Sequence, residues 1–283
     1  MTRTSEKLIY HNSFFAMNTR FEAILWGCEQ KVCMEAFQLI NTAVCAFEKA
    51  ISFYAADSEL FLLNQKAYEN PVSMSSELSK SISIGMAAYY LTNGYFDISK
   101  GNAYHNLKEG KSPKNIIGTD IRNRIIINKE HQTVRFSNPD VTIDFGGMGK
   151  GMALKMVADI IDQQLVPNAF ISFGESSILT RGRHPHGDYW PFALDKSLAN
   201  EKEWQLNNST ISVSSTLTRH LGKVHIFDPL ANKGVSHQKT VLVQAPNPID
   251  AEILSTALIA APDFAYESIL GNYKVEDVTI INL

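Results

Sequence analysis

VTIDFGGMGKGMALKMVADII, residues 141–161, is the stretch on which the reading of the fold turns. Val141 and Ile143 alternate with Thr142 and Asp144, and the chain then bends through Gly146, Gly147 and Gly149. From there Met152, Ala153, Met156, Val157, Ile160 and Ile161 recur at three- and four-residue steps, with Lys155, Asp159 and Asp162 on the other face. That spacing predicts a strand, a glycine turn and an amphipathic helix in succession. Such a unit lets backbone approach a ligand closely and offers the free N–H groups of a helix start to an anion. It is not the phosphate loop of nucleoside triphosphatases, because no Ser or Thr follows Lys150, and its spacing is not the dinucleotide fingerprint. On these residues alone it reads equally well as a structural turn.

The 283 residues are 45% hydrophobic and 19% charged, the profile of a folded soluble protein with enough chain for a substantial core. They are read as a single domain over 1–283. A formal net charge of -3 argues against a nucleic-acid partner, whose binding surface is basic. Cys28, Cys33 and Cys45 follow no zinc spacing and imply no disulfide framework, so free, buried thiols are expected. No run of about 18 apolar residues exists, so no transmembrane segment is expected. Leu25-Trp26-Gly27-Cys28 faintly resembles a lipid-attachment site, but Arg20 and Glu22 interrupt the apolar region and Trp26 is too bulky for the cleavage site. The expected location is the cytoplasm for the chain as given, or outside it if a leader was removed.

Outward from the central stretch, strands are expected over 8–26, broken at Asn18, then a long helix over 29–52. A short helix capped by Ser58 or Asp57 ends near Asn64, and another fills 75–92 and stops at Asn93-Gly94. Residues 102–118 read as a polar surface excursion, and 124–128 with 132–136 as a hairpin. Later strands are expected over 169–173, 189–194, 210–213, 224–227, 240–244 and 278–283, with a loop over 181–188. A helix from Ile249 or Asp250 to Ala261 is stopped by Pro262. Helices and mostly antiparallel strands in mixed order give an α+β fold.

Chemistry points to two further places. The late helix is apolar on nearly every face and therefore buried, yet it carries Glu252 and, one turn on, Thr256. A buried carboxylate needs a partner, and a carboxylate, a hydroxyl and a backbone carbonyl form the kind of oxygen set that holds magnesium. The plain alternative is an exposed Glu with Thr bonded back to its own helix. His225, inside Val224-His225-Ile226-Phe227-Asp228-Pro229, reads either as a core histidine or as a general base suited to neutral pH.

Together these stretches resemble the ApbE-like flavin transferase family, the FAD:protein FMN transferases. Ala16-Met17-Asn18-Thr19 is similar to the family's Met-Gly-Thr, and Ser52-Phe53-Tyr54 with Asp57-Ser58-Glu59-Leu60 and Leu63-Asn64 to its serine–tyrosine–DSE segment. Gly94-Tyr95-Phe96-Asp97-Ile98-Ser99-Lys100-Gly101 resembles G-A-F-D-x-T-x-G, and Asp144–Gly151 resembles D-L-G-G-I-A-K-G. His225–Pro229 matches H-I-I-D-P, and Ala251–Leu258 matches A-D-A-L-S-T-A-L.

The resemblance implies mostly antiparallel sheets packed with helices in a T-fold-related architecture. It implies an enzyme that cleaves FAD with Mg2+, transfers FMN to a Thr or Ser hydroxyl of an acceptor protein and releases AMP. Alternatives are an FAD pyrophosphatase and a flavin-binding protein without catalysis. Met17, Tyr54, Tyr95, Phe96, Asp97, Gly146, Met152 and Ile226 would contact FAD. Glu252, Thr256 and the Gly149 carbonyl would hold the metal, and His225 would activate the acceptor. Glu252 stands where the family has Asp, which moves the carboxylate by about 1.5 Å against tight octahedral distances. Asn18 replaces a family glycine and tolerates a left-handed backbone. Phe173–Ser176 stands where G-G-D is common, and Ser214–Thr216 where T-S-G is.

Overall fold

The computed structural model describes residues 8–113, 120–194, 202–217 and 226–282. Its scaffold is a seven-stranded sheet whose neighbours follow chain order. The strands are β1 (Ile9–Ala16), β2 (Thr19–Trp26), β3 (Asn168–Phe173), β4 (Ser177–Arg181), β5 (Thr210–Ser215), β6 (Lys239–Ala245) and β7 (Asp277–Asn282). Every adjacent pair is antiparallel. The β1–β2 hairpin turns at Met17 and Asn18, both left-handed with φ of 50° and 59°, as a two-residue turn between twisted strands requires. Asn18 thus does what the family glycine would do.

Alternation along the strands gives the sheet two apolar faces. Phe21, Ala23 and Leu25 of β2 point into the main core, whereas Ile24 and Trp26 point to the other side. The main core is covered by α1 (Gln30–Ile51), whose Cys33, Ala36, Phe37, Ile40, Val44 and Phe47 form the buried stripe. Helix α2 (Glu59–Lys66) is capped by Ser58 accepting from Phe61 N at 2.9 Å, and α3 (Ser76–Leu91) by Ser75 accepting from Leu78 N at 3.1 Å. Further along come α4 (Gly101–Lys108), α5 (Gly149–Gln163) and α6 (Pro248–Ala260). Asn247 caps α6 and Pro248 opens it, so a largely apolar helix starts sharply and packs on β5, β6 and α5. On the opposite face the hairpin of Trp190–Ala193 and Glu203–Leu206 seats Trp190 and Trp204 against Trp26, Ile178, Ile211 and Leu242. Among the described residues no helix is long and apolar enough to cross a membrane.

The structure departs from the sequence reading in several places. Val141–Phe145 is extended but joins no sheet beyond one bridge between Lys100 and Thr142. Its backbone bonds go elsewhere: the Asn64 side-chain amide brackets Ile143, donating to its O at 2.9 Å and accepting from its N at 2.8 Å, while Asp144 N donates to Ile98 O at 2.9 Å. Asn64 therefore does not end α2; it stays inside the helix and clamps the central stretch. Residues 102–108 of the expected surface excursion form most of α4, which buries Gly101 and Ala103; 114–119 lie outside the described residues. Strands at Ser177–Arg181 and Glu203–Leu206 and the helix Tyr266–Leu270 were not expected from the sequence. Phe227–Asp228 pairs with Lys233–Gly234, while Val224 lies outside the described residues. Of the three free thiols only Cys33 is buried; Cys28 is half-buried and Cys45 exposed, because Cys45 falls on the outer face of α1.

Candidate active site

The glycine bend and the late helix meet. After Phe145, whose carbonyl accepts from Met148 N at 2.9 Å and Gly149 N at 2.7 Å, the chain turns directly into α5. A Cβ added at Gly147 would lie 2.8 Å from the Phe96 ring, 3.2 Å from Thr256 Cγ2 and 3.3 Å from Thr256 Oγ1. One at Gly151 would lie 2.5 Å from the Pro248 carbonyl oxygen and 2.9 Å from Glu252 Cγ. These glycines exist because two pieces of chain far apart in sequence cross at backbone distance.

The crossing forms one wall of a cavity of about 560 Å³. Tyr54, Tyr95, Phe96, Asp97, Gly146, Ile226, Glu252 and Thr256, all expected from the sequence, line it. Met17, Gly149 and Met152 are not among its wall residues: Asn18 takes the place beside Met17, whose N–H donates to Glu48 Oε1 at 2.7 Å. Gly149 and Met152 are buried in the first turn of α5. His225 lies outside the described residues; Ile226, which follows it in the sequence, lines the wall.

Glu252 is only 5% exposed. Its Oε1 accepts from the Ser177 hydroxyl and, at 2.8 Å, from the Ser212 hydroxyl. Ser212 and Ser214 in turn share hydrogen bonds of 2.9 Å with Ser255. Lys150 Nζ stands 3.9 Å from Oε1 and donates to Ser176 at 2.7 Å and Ser177 at 2.6 Å. The carboxylate is thus held at one oxygen by hydroxyls, and among the described residues Oε2 accepts no hydrogen bond. A fixed carboxylate and the Thr256 hydroxyl on one wall, oxygen donors only, fit a hard cation.

The structure adds residues to which the sequence reading assigns no role. His105, on α4, has Nε2 3.0 Å from Asp144 Oδ2 and Nδ1 2.9 Å from the Tyr54 hydroxyl oxygen, and its ring stacks on Phe53 at 3.9 Å. Lys100, Lys108 and Lys150 also reach the cavity. Burial lowers the proton affinity of Lys100 and Lys108, against an opposing pull from Asp97 on the first and Asp144 on the second. Burial raises Tyr54 and Tyr95 above the ordinary tyrosine value, helped by Asp144 and Asp228 respectively. The Asp97 carboxylate is committed internally: it accepts from Arg124 Nη1 at 2.7 Å and from Ser99 N and Oγ at 2.9 and 2.6 Å. With that pair neutralised, the three ammonium groups among the described residues lining the cavity outnumber the carboxylates of Asp144 and Glu252, which favours an anionic ligand. Lys100, Asp144 and Lys150 sit inside the motifs quoted from the sequence, whereas His105 and Lys108 fall in the stretch that reads as a surface excursion.

Each stretch that carried the family resemblance contributes to this one cavity: Asn18, Tyr54, Tyr95–Ile98, Asp144 with Gly146 and Gly147, Ile226–Phe227, and Glu252 with Thr256. A family model described as the ApbE family matches residues 17–276. The chain belongs to the ApbE family. The FAD:protein FMN transferase of Escherichia coli (strain K12) is 24% identical over 275 residues, covering 89% of this chain and 78% of that protein. The FAD:protein FMN transferase of Haemophilus influenzae is 26% identical over 233 residues, covering 74% and 67%. The solved flavin transferase ApbE from Vibrio cholerae superposes with a TM-score of 0.77 at 19% identity, over 97% of this chain and 93% of that one. The ApbE protein from Thermotoga maritima superposes with a TM-score of 0.80 at 18% identity, over 96% and 94%. The ApbE fold therefore extends over nearly the whole chain, helices and antiparallel sheet together.

Proposed function

We propose that this ApbE-family chain is an FAD:protein FMN transferase built as one domain. It binds FAD in the cavity, breaks the diphosphate and passes FMN to a Thr or Ser hydroxyl of an acceptor protein, releasing AMP. The observation that supports this reading is the meeting of the glycine bend with Glu252 and Thr256 at a cavity whose lysines suit a diphosphate.

In this reading Tyr54, Tyr95, Phe96, Gly146 and Ile226 contact FAD, and Lys100, Lys108 and Lys150 draw its phosphates inward. Glu252, Thr256 and the Gly149 carbonyl would hold Mg2+, which when bound offsets the charge developing on the phosphate oxygens. The serine ring fixes the Glu252 carboxylate, so that its longer side chain is set in place before the ligand arrives. His225 takes the proton of the acceptor hydroxyl as that oxygen bonds to the FMN phosphorus and the bond from phosphorus to the AMP oxygen breaks. The test is to incubate the protein with FAD and Mg2+, with and without a lysate of the source cells, and to follow AMP by chromatography and covalent flavin by fluorescence in denaturing gels. AMP together with a fluorescent protein band is the expected result. AMP without any such band would replace transfer by hydrolysis, and the absence of both AMP and the band would overturn the proposal altogether.

A further inference from the structure

Tyr54 presents its ring to the cavity and is 64% exposed. A tyrosine so exposed would ordinarily sample several rotamers, yet this one is held from two sides. Its ring meets the Phe53 and His105 rings edge-on at 5.5 and 5.0 Å, and its hydroxyl is 2.9 Å from His105 Nδ1. His105 is itself well fixed: its face lies on Phe53, Tyr104 flanks it at 5.2 Å, and Nε2 is 3.0 Å from Asp144. The other Asp144 oxygen accepts from Gly146 N at 2.9 Å, which ties the series to the glycine bend.

Donor and acceptor roles follow from the chemistry. A carboxylate at Asp144 only accepts, so Nε2 carries a hydrogen, and in the tautomer this sets Nδ1 has the lone pair. The Tyr54 hydroxyl must then donate to Nδ1. We propose that His105 is a positioning residue of this cavity: Asp144 sets its tautomer, and it in turn presets the Tyr54 ring as a platform for the planar ring of the ligand. The proposal rests on the flavin-transferase reading for the identity of that ligand, but not for the hydrogen-bonded series itself. Local residues alone would not give this arrangement, because residues 54, 105 and 144 come from separate parts of the chain. Presetting a side chain removes the ordering cost of binding, which for one aromatic platform corresponds to about a three- to tenfold gain in affinity.

The test uses His105→Phe, which keeps an aromatic ring on Phe53 but loses both hydrogen bonds, together with Tyr54→Phe and the double variant. FAD titrations by fluorescence quenching should show Kd raised about three- to tenfold in each single variant, and no further in the double. The visible circular dichroism of bound flavin should weaken, and the FAD KM should rise by more than kcat falls. Unchanged Kd and dichroism in His105→Phe, or losses that multiply in the double, would overturn the proposal. Nitrogen NMR of the ligand-free protein gives an independent reading. His105 should be protonated at Nε2, and Tyr54→Phe should shift its Nδ1 signal; the Nδ1-protonated tautomer would overturn the proposal. If His105→Phe does not fold, Tyr54→Phe at its exposed position and the NMR measurement carry the test. A wild-type protein that fails to bind FAD would sink the flavin reading while the NMR measurement still decides the role of His105.

Discussion

Gly151→Ala is the sharpest mechanical probe of the crossing between α5 and α6. The added methyl would sit 2.5 Å from the Pro248 carbonyl oxygen and 2.9 Å from both Ile249 Cα and Glu252 Cγ. Two of those atoms are backbone, so no rotamer change relieves the contact and α6 must back away by about 1 Å. Overpacking of this kind costs about 1–3 kcal/mol, and the better helix propensity of alanine offsets only about 1 kcal/mol of it. Because the clash is against backbone, the upper part of that range applies, leaving a net loss of about 1–2 kcal/mol and a Tm lower by about 2–4 °C. The effect on function is larger. Glu252 and Thr256 ride on α6, and displacing reacting groups by about 1 Å lowers turnover on the order of 100-fold. Gly187→Ala is the control, since its methyl would meet only the Tyr189 carbonyl oxygen at 3.8 Å. Thermal unfolding and the rate of AMP release from FAD are measured on all three proteins. A Gly151→Ala protein with wild-type Tm and wild-type turnover would refute the crossing.

Glu252→Gln keeps the side-chain volume and can still accept from Ser177 and Ser212, so it should fold normally. On the proposed reading it removes the charge that would face the cation, and AMP release should fall by about 100-fold or more with loss of its dependence on added Mg2+. Thr256→Ala should weaken that dependence by a smaller factor, read as a higher Mg2+ concentration at half-maximal rate. Cys33 is pushed up to about 12 by burial and by its hydrogen bond with Cys28, so its thiolate is scarce at pH 8. In the folded protein a disulfide reagent should therefore label exposed Cys45 first and Cys33 last, followed by absorbance and peptide mapping. Lys100 and Lys108 lie below the ordinary lysine value of 10.5 because burial disfavours their charge, and a lowered value means the charge is lost at a lower pH. FAD affinity should accordingly decline as pH rises towards that value, and Lys108→Gln should weaken binding and flatten the decline in a titration series.

What the sequence made legible was local. The α5 stripe, the serine caps of α2 and α3, the stop of α6 before Pro262 and the left-handed Asn18 are set by neighbours within a few residues, whereas α6 starts at Pro248 under an Asn247 cap, just ahead of the expected Ile249 or Asp250. A helix apolar on nearly every face left Glu252 either buried or at an exposed helix start, and the structure buries it. The errors are long-range. Val141–Phe145 alternates like a strand, but its hydrogen bonds are taken by Asn64 and Ile98, which no pattern within the segment can reveal. GNAYHNLK reads as loop because its residues are polar, yet it becomes α4 by burying Gly101 and Ala103 while His105 stacks on Phe53. The serines around Glu252 look like surface strand residues until β4 and β5 bring Ser177 and Ser212 beneath it.

A crystal of the protein grown with FAD and Mn2+ in place of Mg2+ tests the central claim most directly, because manganese gives an anomalous signal. The account predicts a single strong anomalous peak beside the side chains of Glu252 and Thr256, facing the FAD diphosphate in the cavity against the glycine bend. FAD bound in that cavity with the metal peak elsewhere, or FAD bound away from Glu252 altogether, would contradict it.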